Sequence, residues 1–546
     1  MRNPILPGFH ADSSICRKGD DYYLAVSSFE WFPGIPIYHS RDLKHWELLT
    51  HGITDDREAD LLKLPSAKGI WAPCLTWCEQ EGLFYLTYSV MHSMNARYFD
   101  VDNFVKTAPE ITGPWSEPFY LHSAGFDASM FHDTDGRKYV VALDWETRET
   151  YEKPGAICLM EYDPRQKKVV GPMKRIYTGG TDRGCIEGPH LTKRGDWYYL
   201  MCAEGGTGYA HAVTMARSAS VWGPYEPDPQ NPIVTSVPGD FNERQDWDHL
   251  KPRYFNAVSY LQKSGHGSYV DTPLGETYLV HLCARPFRPE LRCTLGRETA
   301  MQKMTWTGDG WLRMADGGNL ARAEFEPSRL PEVCWPEPPV QDDFDGPALA
   351  RCYYAPRWAP ERFATLADGA LYLRGQESLC SLNKTSLLAR KLTSVETTVT
   401  TRMQFCPTSF HHSAGLVLYY DNMDYAYLEL YREEEGCPAM LRVRRLQNGV
   451  RTESAGVVVP EQPLYLRLTV LGRSTQFSWS ADGQEYRLVG PVLDTSEFSD
   501  EYCQYGEFTG AFVGLACEDS LLHQASAKFD FFRYEAHPEN DEAYFL

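Results

Sequence analysis

Long apolar runs are missing from this sequence. Nowhere in its 546 residues does a stretch approach the ~18 consecutive apolar residues of a membrane-spanning helix, and the opening Met1-Arg2-Asn3-Pro4-Ile5-Leu6-Pro7-Gly8 lacks the apolar segment of a secretion signal. A soluble, cytoplasmic protein is expected. Positive charge is also short, with 53 Lys and Arg against 74 Asp and Glu, a net charge of −21. Phosphate backbones and anionic headgroups bind clustered Lys and Arg, so neither nucleic acid nor a membrane surface is an expected partner. Paired cysteines are lacking: the 15 are odd in number and scattered from Cys16 to Cys517, and the pair Cys74 and Cys78 has no second pair to complete a zinc site. They read as free thiols. Helical periodicity is scarce throughout, which points to an all-β chain.

What recurs is a short β-type run with Tyr at its centre, introduced by a turn of Gly, Asp or Glu. Aligning Tyr23, Tyr85, Tyr139, Tyr199 and Tyr278 gives spacings of 62, 54, 60 and 79 residues. Five copies in this span predict five four-stranded blades of a β-propeller. Aromatic segments with turn residues at 40–46, 111–115 and 220–225 read as outer strands of the same blades. Six prolines then fall among acidic residues between 324 and 347. That composition favours extended backbone and marks a boundary, which length also demands, because one core rarely grows past about 250–300 residues. Alternating segments such as 394–401, 414–420 and 464–470 follow and predict a β-sandwich. The expected division is a propeller over 1–323, a linker over 324–347 and a sandwich over 348–546.

Equivalent positions of successive blades lie around one axis, so the repeat also locates a site. Twelve residues before the aligned Tyr, or eleven in the first copy, stand Asp12, Pro73 of Trp71-Ala72-Pro73, Asp127, Glu187 and His266. Three carboxylates are thereby predicted to converge on one central pocket. Burying like charges together drives their pKa values apart, so that an acid and a base coexist at neutral pH. Paired carboxylates in an aromatic pocket suit glycosidic bond cleavage, where one carboxyl protonates the leaving oxygen and the other activates water or attacks the sugar. Phe29, Phe32 and Trp71 are candidate faces for stacking on a sugar ring, with a core role as the alternative for each.

The motifs Asn3 to Ser14, Phe29-Glu30-Trp31-Phe32-Pro33-Gly34, Ile70-Trp71-Ala72-Pro73, Gly125-Phe126-Asp127, Ile186-Glu187-Gly188-Pro189-His190 and Leu295 to Ala300 resemble those of glycoside hydrolase family 43. Among its members they are most similar to the two-domain β-xylosidases with a concanavalin-like C-terminal sandwich. The resemblance implies Asp12 as general base, Glu187 as general acid and Asp127 as the carboxylate that orients the acid and tunes its pKa. It further implies inversion at the anomeric carbon, with base and acid about 6.5–9.5 Å apart. Arg297 would bind substrate hydroxyls and pair with Asp127. His266 matches a central histidine that in some relatives ligates Ca²⁺, an ion otherwise served by oxygens. The segment Tyr505 to Phe512 resembles a loop that sends Phe508 of the second domain into the pocket mouth, favouring exo-action on short chains; packing in the domain interface is the alternative. Ala11 and Ser13 stand where the family commonly has prolines around the base, and Ala128 where one follows Asp127, so these loops lose fixed φ angles. The expected activity is an inverting exo-β-1,4-xylosidase on xylooligosaccharides, with α-L-arabinofuranosidase activity as an accompaniment or as the main activity. A non-catalytic sugar-binding protein is the remote alternative. A homodimer or homotetramer is expected by analogy.

Overall fold

The computed structural model describes residues 1–95, 98–148, 150, 155–238, 255–504 and 508–545. Five four-stranded antiparallel sheets follow one another along the chain. Blade one comprises Ser14–Lys18, Asp21–Ala25, Gly34–Ser40 and Glu47–Ile53; blade two Gly69–Cys78, Leu83–Asn95, Tyr98–Ala108 and Phe119–His122. Blade three comprises Ser129–His132, Lys138–Trp145, Gly155–Asp163 and Lys168–Tyr177; blade four Glu187–Arg194, Trp197–Glu204, Ala212–Ser218 and Glu226–Pro227, with Val234–Thr235 added on its third strand. Blade five comprises Gln262–Asp271, Thr277–Ala284, Glu298–Trp306 and Leu312–Met314. Each of the five repeat tyrosines lies on the second strand of its blade, buried in the seams between sheets. The N-terminus closes the ring: Ile5 N–H donates to Thr299 O at 2.9 Å, and the Asn3 side chain exchanges two 2.8 Å bonds with the Met301 backbone on blade five.

The aromatic segments expected as outer strands are instead the connections between third and fourth strands. In the first, Asp42 Oδ1 accepts the N–H groups of Lys44 and His45 at 2.8 and 2.9 Å, which bends the chain. In the other two the aromatic folds back onto a carbonyl four residues earlier: Trp115 Nε1 donates to Ile111 O and the Tyr225 hydroxyl to Val221 O. The aromatics cap turns there and do not pair in a ladder.

The segment 324–347 is bound rather than free. Ser328 Oγ donates to Asp42 O, Val333 N–H to Asp42 Oδ2, and the Trp335 ring lies 4.9 Å from that of His39, all on blade one. Gln341–Asp342 already pairs with Ser526–Ala536 of the second domain.

That domain is two packed sheets. One holds Ala364–Ala367, Ala370–Arg374, Ser526–Ala536, Glu396–Gln404, Leu464–Leu471, Ser474–Ser480 and Arg487–Asp494; the other Leu387–Lys391, Phe512–Asp519, His412–Asp421, Asp424–Tyr431, Met440–Gln447 and Val450–Glu453. Leu464–Leu471 alternates buried and half-buried positions, as a strand with one wet face should. Asp424–Tyr431 is buried throughout: Ala426, Leu428 and Leu430 face the sandwich core, Tyr425 and Tyr427 join the interdomain cluster, and Arg442 and Arg444 of the neighbouring strand cover Glu429. Tyr419, Tyr427 and Phe512 of this second sheet join Phe9, Trp31 and Trp71 of the propeller in one apolar cluster. Trp31 stacks on Phe512 with ring centroids 3.7 Å apart, and Trp31–Phe32 pairs with Ala355–Pro356. No helix among the described residues is long and apolar enough to cross a membrane, and no two cysteines among the described residues are joined in a disulfide.

Candidate active site

The site is built by one recurring backbone feature. At or just ahead of the inner strand of every blade, eleven to thirteen residues before the repeat tyrosine, one residue takes a left-handed conformation: Asp12 (φ 55°), Ala72 (37°), Asp127 (58°), Gly188 (56°) and His266 (51°). For the four that are not glycine this conformation costs about 1–3 kcal/mol each, and the hydrogen bonds that hold the turns identify the groups they serve.

Asp12 is buried, and each of its oxygens is engaged. Oδ2 accepts the Ser27 hydroxyl at 2.7 Å; Oδ1 lies 3.3 Å from Arg297 Nη1 and 3.6 Å from His266 Nδ1. Arg297 therefore pairs with Asp12, a correction to the expected pairing with Asp127. Its orientation explains the choice: Nε and Nη2 both donate to Phe508 O, at 3.0 and 2.7 Å, leaving Nη1 to face Asp12. The guanidinium also lies over the rings of Phe29 and Phe508, 5.4 and 5.1 Å from their centroids.

Asp127 and Glu187 are linked through the backbone, since Asp127 Oδ2 accepts the N–H of Gly188 at 2.9 Å. Burial pushes the Asp127 carboxyl up to about 6; nearby His266 opposes that rise and the charge of Asp12 adds to it. Glu187 is raised well above the ordinary glutamate range, by burial first and then by the negative charges of Asp127 and Asp12, with Arg297 opposing. Glu187 as a whole is half-buried. Its Oε1 is shut off from water, with no hydrogen-bond partner among the described residues. Burial and the two neighbouring charges thus favour the protonated form of this carboxyl.

The aromatic wall consists of Trp71 and the rings around it. Trp71 lies 5.6 Å from Phe29, 5.8 Å from Phe126 and 5.8 Å from Phe508, the last two edge-on, and its indole N–H is held by Ala67 O at 3.1 Å. Phe508 thus reaches the site from the sandwich, while Tyr505, Gly506 and Glu507 of its motif lie outside the described residues. Phe32 does not join them: it is fully buried among Ile35, Ile53 and Ile70 in the core between blades one and two.

His266 sits below these groups, packed against Gly188, where a Cβ would come within 2.9 Å of its Nε2. The resemblance marks His266 as an ion ligand, and its imidazole, with Nδ1 3.6 Å from Asp12 Oδ1, is one protein group here that could ligate an ion. The oxygens calcium requires would then be those of water or sugar. The clusters of three potential metal ligands among the described residues lie elsewhere, at His45, Glu332 and Cys334 and at Asp421, Asp424 and Cys503.

Sequence reasoning missed two supporting serines. Ser27 Oγ accepts the N–H of Ala72 at 2.8 Å, and Ser89 Oγ accepts the N–H of Asp127 at 3.1 Å; Ser89 in turn donates to Asn103 Oδ1 at 2.7 Å. Each serine ties the left-handed turn of the next blade. Both stand four residues after a repeat tyrosine, so the alignment already held the signal.

Comparison with known proteins agrees with this architecture. Residues 1–312 match the model of glycosyl hydrolases family 43, and 341–535 that of the β-xylosidase C-terminal concanavalin A-like domain. The chain is 40% identical to xylosidase/arabinosidase 43B of Humicola insolens, over 99% of each chain, and 36% identical to a β-xylosidase of Bacillus subtilis, over 98% of this chain and 99% of that one. The crystal structure of a xylan β-1,4-xylosidase from Bacillus halodurans superposes with a TM-score of 0.92 at 43% identity, covering 98% of this chain and 100% of the other. The chain belongs to glycosyl hydrolase family 43, with a β-propeller that bears three carboxylates at its axis and a concanavalin A-like C-terminal domain that reaches into the same pocket.

Proposed function

We propose that this glycoside hydrolase is an exo-acting, inverting β-1,4-xylosidase that releases xylose from the non-reducing end of xylooligosaccharides. The observation that carries the reading is the division of labour among three carboxyls gathered at the propeller axis. Glu187, whose proton burial and the charges of Asp127 and Asp12 favour, donates to the glycosidic oxygen as the bond to the anomeric carbon breaks. Asp12, held by Ser27, Arg297 and His266, takes a proton from the water that attacks the opposite face of the sugar. Asp127 adds the negative charge that keeps the proton on Glu187. Trp71 and Phe29 offer stacking faces, and Phe508 narrows the mouth, which suits removal of single terminal sugars. The names of the three relatives described above, each including xylosidase, support the sugar.

Proton NMR of xylobiose hydrolysis tests the stereochemistry: the α-anomer is expected first at the released end, and β-xylose formed first would overturn inversion. A second reading, α-L-arabinofuranosidase activity, is favoured by the bifunctional name of the Humicola relative, and kcat/KM on the two aryl glycosides separates it. A calcium ion on His266 with a shell of water would add positive charge beneath the sugar. Loss of activity on chelation, restored by Ca²⁺, is the result that idea requires, and no step above is routed through the ion.

A further inference from the structure

We infer that Lys263 and Glu501 are positioning residues for the active site, acting through the backbone carbonyl of Phe508 on Arg297 and so on Asp12. The inference rests on the reading of Asp12 as the base.

Arg297 has two of its nitrogens committed to Phe508 O, and that double contact fixes the plane in which Nη1 meets Asp12. The position of a carbonyl in the second domain therefore sets the geometry of the base in the first. That carbonyl lies beside a ladder of contacts that residues 293 and 294 of the propeller make with residues 495, 501 and 511 of the sandwich. Cys293 N–H donates to Glu501 Oε2 at 2.8 Å, Thr294 Oγ1 to Thr495 O at 2.9 Å, and Ala511 N–H to Thr294 O at 3.0 Å.

Lys263 completes the ladder from below. It lies on the inner strand of blade five, three residues before His266, with its side chain fully buried. Its Nζ stands 2.5 Å from Glu501 Oε1 and 4.0 Å from Asp500 Oδ2, with the Tyr209 ring 5.3 Å away. Asp500 is itself held by the Tyr420 hydroxyl. One strand thus feeds His266 to Asp12 and Lys263 to Glu501, which in turn holds the chain leading to Arg297 at Cys293. A buried ion pair adds little net stability over an apolar pair, and its best-attested use is to fix register. Here it fixes Glu501 against Cys293, four residues before Arg297.

The test is steady-state kinetics on xylobiose, with Tm measured for every variant. Glu501→Gln, which keeps shape and removes the charge, is expected to lower kcat by roughly tenfold to a hundredfold with a smaller change in KM, the penalty of a slightly misplaced catalytic group. Lys263→Met should do the same and Lys263→Arg should recover part of the loss. Phe508→Ala removes the ring but keeps the carbonyl, so its effect is expected mainly in KM. The deciding measurement is a double-mutant cycle: in an Arg297→Met background Glu501→Gln should cost nothing further, because the group it orients is gone. A merely structural role would give independent losses that multiply, and that result, or a folded Glu501→Gln with unaltered kcat, overturns the inference. If Glu501→Gln does not fold, Glu501→Asp, which keeps the charge and shortens the reach, carries the same cycle. Asp12→Ala separates the two readings. If it leaves activity intact, the assignment of the base is wrong; if it abolishes activity while Glu501→Gln does not alter kcat, the positioning inference alone fails.

Discussion

Glu187 and Asp127 sit where water is scarce, and each holds its proton more tightly than an exposed carboxyl would. For Glu187 two causes act together, burial and the negative charges of Asp127 and Asp12, so its acid form survives to higher pH than that of an ordinary glutamate. Asp127→Asn removes one of those charges while its amide oxygen can still accept the Gly188 N–H. Glu187 should then give up its proton at lower pH. Because the two groups titrate as a pair, the expected outcome is a shift of the whole basic limb of the kcat–pH profile toward lower pH, accompanied by a lower maximum. A limb that stays in place would deny the coupling. At this scale the sequence was legible where the repeat constrained it: counting back from a tyrosine found Asp12, Asp127, Glu187 and His266. It was not legible where a partner comes from a distant loop. Which carboxylate Arg297 faces depends on the Phe508 carbonyl, 211 residues away, and no local pattern encodes that.

Among the elements, the five blades could be read because each repeats one local solution, a hairpin whose second strand buries a tyrosine. The sandwich was readable where one face of a strand is wet, as in Leu464–Leu471, and less so in Asp424–Tyr431, where the interdomain cluster and the arginines of the neighbouring strand cover the second face and alternation disappears. Turn aromatics such as Trp115 and Tyr225 mimic strand residues in composition, and only their bonds to carbonyls four residues back reveal them. Close backbone contact between domains is written in two glycines. Gly296, at φ 75°, has no room for a side chain: a Cβ there would lie 1.8 Å from Thr509 O, and one at Gly510 would lie 2.5 Å from Leu295 O. Gly296→Ala must therefore push 508–510 away while also straining its own backbone. The expected result is a Tm loss corresponding to about 2–4 kcal/mol, from overpacking and an unfavourable φ together, with kcat reduced because Arg297 loses its carbonyl. An alanine variant with unaltered melting and kcat would mean that the domains can separate at this contact without cost.

Over the whole molecule, the propeller and sandwich share one apolar interface, and Lys391 is buried inside it. Its Nζ has no hydrogen-bond partner among the described residues and lies 5.4 and 5.3 Å from the centroids of Phe9 and Tyr354, one ring from each domain. Burial pushes its pKa down from 10.5 to about 7. His51, close by, is pushed down to about 3, by burial first and then by Lys391 and Arg351, so the pocket as a whole disfavours added positive charge. The sign of the linkage follows. Between pH 7 and 10.5 the unfolded chain binds a proton at this lysine that the folded protein does not, so stability rises with pH across that window. Below pH 7 both states are protonated and the folded protein carries the full penalty, a few kcal/mol at 1.36 kcal/mol per pKa unit, reduced by the attraction of the two rings for the cation. Lys391→Met keeps the length and apolar contact of the side chain and removes the charge. It should raise Tm most below pH 7, less at pH 8 to 9, and hardly at all near pH 10.5, where the wild-type lysine is neutral in both states. Thermal melts of the two proteins across that range give the answer directly. A gain that does not vary with pH would assign the effect to packing alone, and a loss at pH 7 would show that the ammonium is held in the interface by the two rings more strongly than burial opposes it.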